Sequence, residues 1–243
     1  MRTAKQAFTL IELMTVIAIL SVLIMLSLGM VEQLRRRAFA ASCASNLRQL
    51  GMATHLYLSD HQQLFFNYSE NTDDGKLWFF GLEPWSSVGG PEGQRTLDPT
   101  KGPLYPYIQS VGGVEICKAF PYDSALWKPK FKGASYGYGY NTFLPGRSLI
   151  TIDQPSQVII FGDCAQVNNF QAPASSKHPM LEEFYMIENT FTTVHFRHDG
   201  LAEMLFVDGH VEALPPEPGT EDARLPSEHV GRISPVGSMK WLW

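Results

Sequence analysis

"AFTLIELMTVIAILSVLIML" runs from Ala7 to Leu26, and its reading decides the fold. Its only charge is Glu12, close to its start, and no further charged residue follows until Glu32. A helix needs about 20 such residues to cross a bilayer. A carboxylate placed in hydrocarbon is expensive and usually marks a function. Arg2 and Lys5 precede the run, and Arg35, Arg36 and Arg37 follow it.

Three readings of this segment compete. As a secretory signal peptide, it would use Arg2 and Lys5 as its basic region and Ala38-Phe39-Ala40 as its cleavage site. Its apolar run is longer than the usual ~7–15 residues of such a peptide, and three arginines stand just before the cut. As a plain anchor, it explains the apolar run but leaves Glu12 without a role. The basic residues on both sides leave its orientation open.

The third reading accounts for both features. The stretch Lys5-Gln6-Ala7-Phe8-Thr9-Leu10-Ile11-Glu12-Leu13 resembles the class III signal of type IV pilins and type II secretion pseudopilins. The resemblance implies cleavage after Ala7 by a prepilin peptidase and methylation of the new N-terminal Phe8. Glu12 is then the fifth residue of the mature chain, as in that family. One departure stands out: Ala7 occupies the place where the family has glycine.

The resemblance also implies an α+β fold, with a long N-terminal helix packed on an antiparallel β-sheet head. It implies a single pass through the inner membrane, the N-terminus cytoplasmic and the head periplasmic. Its partners would be the peptidase, other pilin or pseudopilin subunits, the inner-membrane assembly platform and membrane lipid. No cofactor is expected, with calcium or a transition metal as the alternative.

A buried carboxylate requires a positive partner or neutralises. The new α-amino group of the same chain, or of a neighbouring subunit, would serve Glu12. Buried polar groups of this kind are best attested as setters of register. The alternative is a glutamate that snorkels to the membrane interface.

Beyond the apolar run, Cys43, Leu47, Leu50, Thr54 and Tyr57 recur on one helical face, and no proline interrupts before Pro84. The helix is therefore expected to continue to about Ser59. "CASNLRQLGMATHLYLSD" (Cys43–Asp60) resembles the stretch after the membrane helix in a pilin-like subgroup named for a C-terminal H-X9-DG motif. His198, followed by Asp208-Gly209 within "RHDGLAEMLFVDGHVEAL", matches that motif. The expected organisation is a leader (1–7), an apolar helix (8–31), its amphipathic continuation (32–60), a head (61–214) and a Pro-rich tail (215–243).

Gly, Pro and aromatic residues dominate 65–148, as in "KLWFFGLEPW" and "SYGYGYNTF", and suit short strands and turns. The aromatics are expected to pack the head, with a sugar-stacking surface as the alternative. "QVIIFGDC" (157–164) reads as a buried strand. "TTVHFR" (192–197) and the two halves of "AEMLFVDGHVEAL" (202–214) read as a three-stranded meander. Asp208-Gly209 is expected to form a type I′ turn, with His198-Asp199-Gly200 as the preceding turn.

His195, His198, Asp208 and His210 are candidate ligands for zinc or another transition metal. The expected role is nevertheless structural: Asp208 and Gly209 form the hairpin turn, and His198 bonds a neighbouring turn or Asp208 itself. Asp73, Asp74, Glu182 and Glu183 offer oxygens for calcium, though in no recognisable loop. Of the three cysteines, Cys43 and Cys117 are the expected disulfide in an exported chain, an assignment that spacing alone does not fix.

The net charge of −5 argues against nucleic acid as a partner. GxSxG, HExxH, P-loop and dinucleotide motifs are absent, so the chain is expected not to be an enzyme. The expected function is assembly. A membrane-anchored periplasmic binding module that never polymerises is the alternative.

Overall fold

The computed structural model describes residues 9–108, 113–133, 136–188 and 190–233, the side chains of 26–29 excepted. Ala7 and Phe8, the two processing residues, lie outside the described residues, as does the terminal "MKWLW".

Helix α1 spans Leu10–Asp60. Its continuity follows from the sequence, which is rich in Leu, Ile, Met and Ala and lacks proline throughout. It stops where Gln62 and Gln63 take up left-handed backbone (φ 54° and 62°), and the Gln63 N–H closes onto the Leu58 carbonyl at 2.8 Å.

The chain divides into two compact units between Ala38 and Phe39. In the first, the described apolar side chains of the helix, from Leu10 to Met25 and again at Met30, Val31 and Leu34, are exposed. Thr15 donates its hydroxyl to the Glu12 carbonyl (2.9 Å) and Ser21 to the Ile17 carbonyl (2.7 Å). These hydroxyls are thus satisfied within the helix, as a hydrocarbon solvent demands.

Among its described residues, the second unit carries twelve strands: β1 (Ser69–Asn71), β2 (Gly75–Trp78), β3 (Gly81–Pro84), β4 (Tyr138–Asn141), β5 (Ile159–Asp163), β6 (Gln166–Asn168), β7 (Met180–Glu182), β8 (Met186–Ile187), β9 (Val194–His195), β10 (Ala202–Phe206), β11 (Val211–Leu214) and β12 (Val230–Gly231). The central sheet has the order β11-β10-β5-β4-β8, antiparallel except for β4–β8. A β1-β2-β3 meander and the pairs β6–β7 and β9–β12 surround it. The fold is α+β, as expected.

Leu47, Leu50 and Leu58 of α1 share one core with Phe66, Phe79, Tyr138, Tyr140, Phe161 and Leu205. Tyr57 remains half-buried at its margin. The aromatic stretches supply this core, with Phe66 stacked on Tyr140 at 4.6 Å between ring centroids. Gly139 and Gly162 lie opposite one another across β4 and β5. A Cβ on Gly139 would meet Cys164 Sγ at 2.7 Å, and one on Gly162 would collide with Met204 Sδ. Close packing therefore excludes side chains at both places.

Three expectations are corrected. Residues 192–197 do not join a meander with 202–214. Their strand, β9, pairs instead with β12, drawn from the Pro-rich segment. That segment is therefore no loose tail within the described residues: Val230 and Ile233 are buried, and Pro216 bridges to Ile233.

The third correction concerns the turns. Asp208-Gly209 is not a two-residue type I′ turn. Phe206 accepts from Gly209 N–H (2.9 Å) and donates to the His210 carbonyl (2.9 Å), leaving a three-residue loop with only Gly209 left-handed (φ 91°). The turn with two positive φ values is His198–Leu201, at Asp199 (φ 52°) and Gly200 (φ 82°), closed by reciprocal 3.0 Å bonds between His198 and Leu201.

Candidate functional site

Two places carry chemistry. The first is the start of α1. Thr9 donates its backbone N–H (2.8 Å) and its hydroxyl (2.7 Å) to Glu12 Oε2, and the Glu12 N–H donates back to Thr9 Oγ1 (3.3 Å). This is a capping box, with Thr9 as the cap and Glu12 as the third helical residue. The carboxylate is thereby held beside the amide of residue 9, one peptide unit from the amino group that cleavage after Ala7 would create. The pattern T-x-x-E before an apolar run was readable in the sequence but was not used there.

The second place is the end of β5, where Asp163 is fully buried. Its Oδ1 pairs with Arg197 Nη2 at 2.9 Å. Its Oδ2 accepts from the Glu203 N–H at 2.9 Å and lies 3.1 Å from His198 Nε2. Burial alone would raise the Asp163 pKa. Arg197 and His198, together with the backbone bond, outweigh it and hold the carboxyl below its ordinary value.

Beside this group, Cys43 of α1 and Cys117 form a disulfide with Cα atoms 5.4 Å apart. Tyr138 Oη lies 3.2 Å from Cys43 Sγ. Cys164 remains free and buried, donating to the Thr193 carbonyl at 2.8 Å. Burial pushes its thiol up to about 12, so it is inert at neutral pH.

The four histidine and aspartate candidates do not converge. His198 faces Asp163, not Asp208. Asp208 and His210 sit exposed in the β10–β11 loop, bonded to each other, and the His210 ring stacks on Phe206 at 4.3 Å. His195 is buried against Phe120, with ring centroids 5.4 Å apart, and burial with nearby Arg197 drives its pKa well down. The reason is topological: His198 and Asp208 flank opposite ends of β10, and His195 belongs to a different sheet.

The calcium candidates are scattered too. Asp73 and Asp74 lie in the β1–β2 turn. Glu182 Oε2 pairs with buried Lys128 at 3.1 Å, and Glu182 Oε1 with Lys130 at 2.9 Å. Glu183 accepts from Tyr122 Oη at 2.7 Å. Asp163 and Arg197 are the residues that the sequence reading missed. The available signal was a charge closing the apolar strand "QVIIFGD".

Comparison with known protein families matches residues 2–28 to the prokaryotic N-terminal methylation motif. No curated protein and no solved structure matches the chain. The matched residues include Ala7, Phe8 and Glu12 and carry a type IV pilin-like prepilin signal. Such a signal implies processing by a prepilin peptidase and pilin-type assembly. Among the described residues, α1 is the one helix long and apolar enough to cross a membrane. This signal on this helix points to a membrane-anchored, single-pass protein.

Proposed function

We propose that this chain is a non-enzymatic structural subunit of a type II secretion pseudopilus or a type IV pilus. Cleavage after Ala7 and methylation of Phe8 mature it. The N-terminus starts in the cytoplasm and the head stands in the periplasm. His198, Asp208 and Gly209 mark it as a member of the H-X9-DG subgroup, and in this reading the motif is structural. His198 buttresses Asp163, while Asp208 and Gly209 shape the β10–β11 loop.

One observation carries the proposal: a helix whose described apolar side chains, Leu10 to Met25 and Met30 to Leu34, are exposed begins within a prepilin signal. Such a surface is stable in lipid or against the same surface of neighbouring subunits, and not in water. Head-to-tail contacts of this kind that do not close into a ring build filaments.

Glu12→Ala tests the reading. An assembly subunit with this substitution inserts in the membrane in normal amount and is lost from sheared or cross-linked filaments. Equal incorporation of the variant and the native chain would instead identify a plain anchor.

A further inference from the structure

Cys43, Cys117, Asp163 and His198 each aim a donor atom at one buried point, all four within 4.8 Å of one another. They arrive from separate parts of the head: α1, the loop before β4, the end of β5 and the turn before β10. A tetrahedral zinc ion sits about 2.0–2.3 Å from S, N and O donors, which sets donor–donor separations of roughly 3.3–3.8 Å. Cys43 Sγ to Asp163 Oδ1 is 3.6 Å, Cys117 Sγ to His198 Nε2 is 3.5 Å, and His198 Nε2 to Asp163 Oδ2 is 3.1 Å. The two sulfurs, bonded to each other, are far closer than an ion would hold them, and reduction releases that restraint; His198 Nε2 and Asp163 Oδ2, at 3.1 Å, need separate by only a few tenths of an ångström.

We propose that in the dithiol form these four side chains bind one zinc-class divalent ion, and that the disulfide and the ion are alternative fastenings of α1 to the sheet. This is independent of how the chain assembles. The charges balance in both states. In the oxidised state Asp163 and Arg197 neutralise one another. In the metal state two thiolates and Asp163 offset Arg197 and the ion. Buried sites tolerate only such neutral sets.

Asp163 would be held as a ligand by Arg197 and the Glu203 amide, the outer-shell support that metal carboxylates require. The reciprocal bonds of the His198–Leu201 turn would fix His198 in the same way.

The chemistry is as follows. A dithiol reductant passes two electrons and two protons to the Cys43–Cys117 bond and is itself oxidised to a disulfide. The two protein thiols then lose their protons as the ion binds. Return to the disulfide removes two electrons to a disulfide oxidant and expels the ion.

The test uses the full-length chain in detergent, oxidised and after treatment with a dithiol, titrated with Zn²⁺ and then with Co²⁺ as a spectroscopic probe. The expected result is one equivalent of metal in the reduced chain and none in the oxidised chain, with a thiolate-to-cobalt charge-transfer band. Cys117→Ser abolishes the band. Asp163→Asn and His198→Gln each weaken binding by about 10- to 100-fold or more.

Binding in the oxidised chain that survives Cys117→Ser would overturn the proposal. So would thiol-dependent binding indifferent to both Asp163→Asn and His198→Gln, which signifies adventitious capture by thiols. If reduction unfolds the head and zinc does not restore its circular dichroism, the proposal also fails.

Discussion

Thr9 and Glu12 hold each other through three hydrogen bonds at the first turn of α1, two of them to a single carboxylate oxygen of Glu12. The one charge in the apolar run is thus explained locally before any partner is invoked. A cap of this kind stabilises a helix end by about 1 kcal/mol. The same geometry keeps the carboxylate next to the site of the new α-amino group, so capping and subunit docking draw on one side chain.

Glutamine at position 12 separates the two roles. It preserves the capping bond but carries no charge. Glu12→Gln is expected to insert normally and keep slow amide exchange at residues 10–13 in micelles, yet to lose filament incorporation as Glu12→Ala does. Full incorporation of Glu12→Gln would mean that the cap alone is used.

Lys128 is fully buried between Glu92 (2.9 Å) and Glu182 (3.1 Å). Removing one member of a buried pair leaves a charge uncompensated and typically destabilises by 3–5 kcal/mol. Lys130 still pairs with Glu182, so Lys128→Met is expected to destabilise the head by about 3 kcal/mol in urea unfolding. Adding Glu182→Gln should recover part of that loss. No recovery would mean that Lys128 acts through packing rather than charge.

Asp163 and Glu182 govern the acid limit. Burial works against both carboxylates, but Arg197 with His198, and Lys130 with Lys128, hold their pKa values below the ordinary range. Their stabilisation is present above the unfolded carboxylate pKa of about 4 and is lost as pH falls through the lower folded values. The melting temperature is therefore expected to drop steeply below about pH 4, and Asp163→Asn should flatten that drop. An unchanged acid profile in Asp163→Asn would remove Asp163 from the account.

Glu183 works in the opposite direction. Burial lifts its pKa from 4.5 to about 7, against the Tyr122 bond and Arg197. Between those values the unfolded chain has released the proton and the folded chain has not, so stability falls as pH rises through the window. The penalty reaches roughly 3 kcal/mol above neutrality. Glu183→Gln, which can still accept from Tyr122, should be more stable than the native head at about pH 8 and similar at about pH 4. Equal destabilisation at both would contradict the burial argument.

What the sequence disclosed was local. The i, i+4 and i+7 spacing of Cys43, Leu47 and Leu50 placed the buried face of α1, and all three are buried in the core. What it hid was set by pairings distant along the chain. Val230 lies opposite His195, and Arg197 meets Asp163, and no short-range pattern announces either. The Asp-Gly signal was ambiguous because the chain has it twice in eleven residues, at 199–200 and 208–209. Strand pairing decided between them. Phe206 pairs with His210 and leaves three residues to turn, while His198 pairs with Leu201 and leaves two.

The four histidine and aspartate candidates lie apart for a related reason. His195, His198, Asp208 and His210 are close in sequence, but β10 separates His198 from Asp208. The donors that do converge on His198 come from α1, the loop before β4 and the end of β5.

The central claim is that the N-terminus is a processed assembly signal. Its most direct test is the intact mass and N-terminal sequence of the protein extracted from membranes that contain its own prepilin peptidase. The account predicts a chain that begins at methylated Phe8. A chain that begins after Ala40, or one that retains Met1, would contradict it.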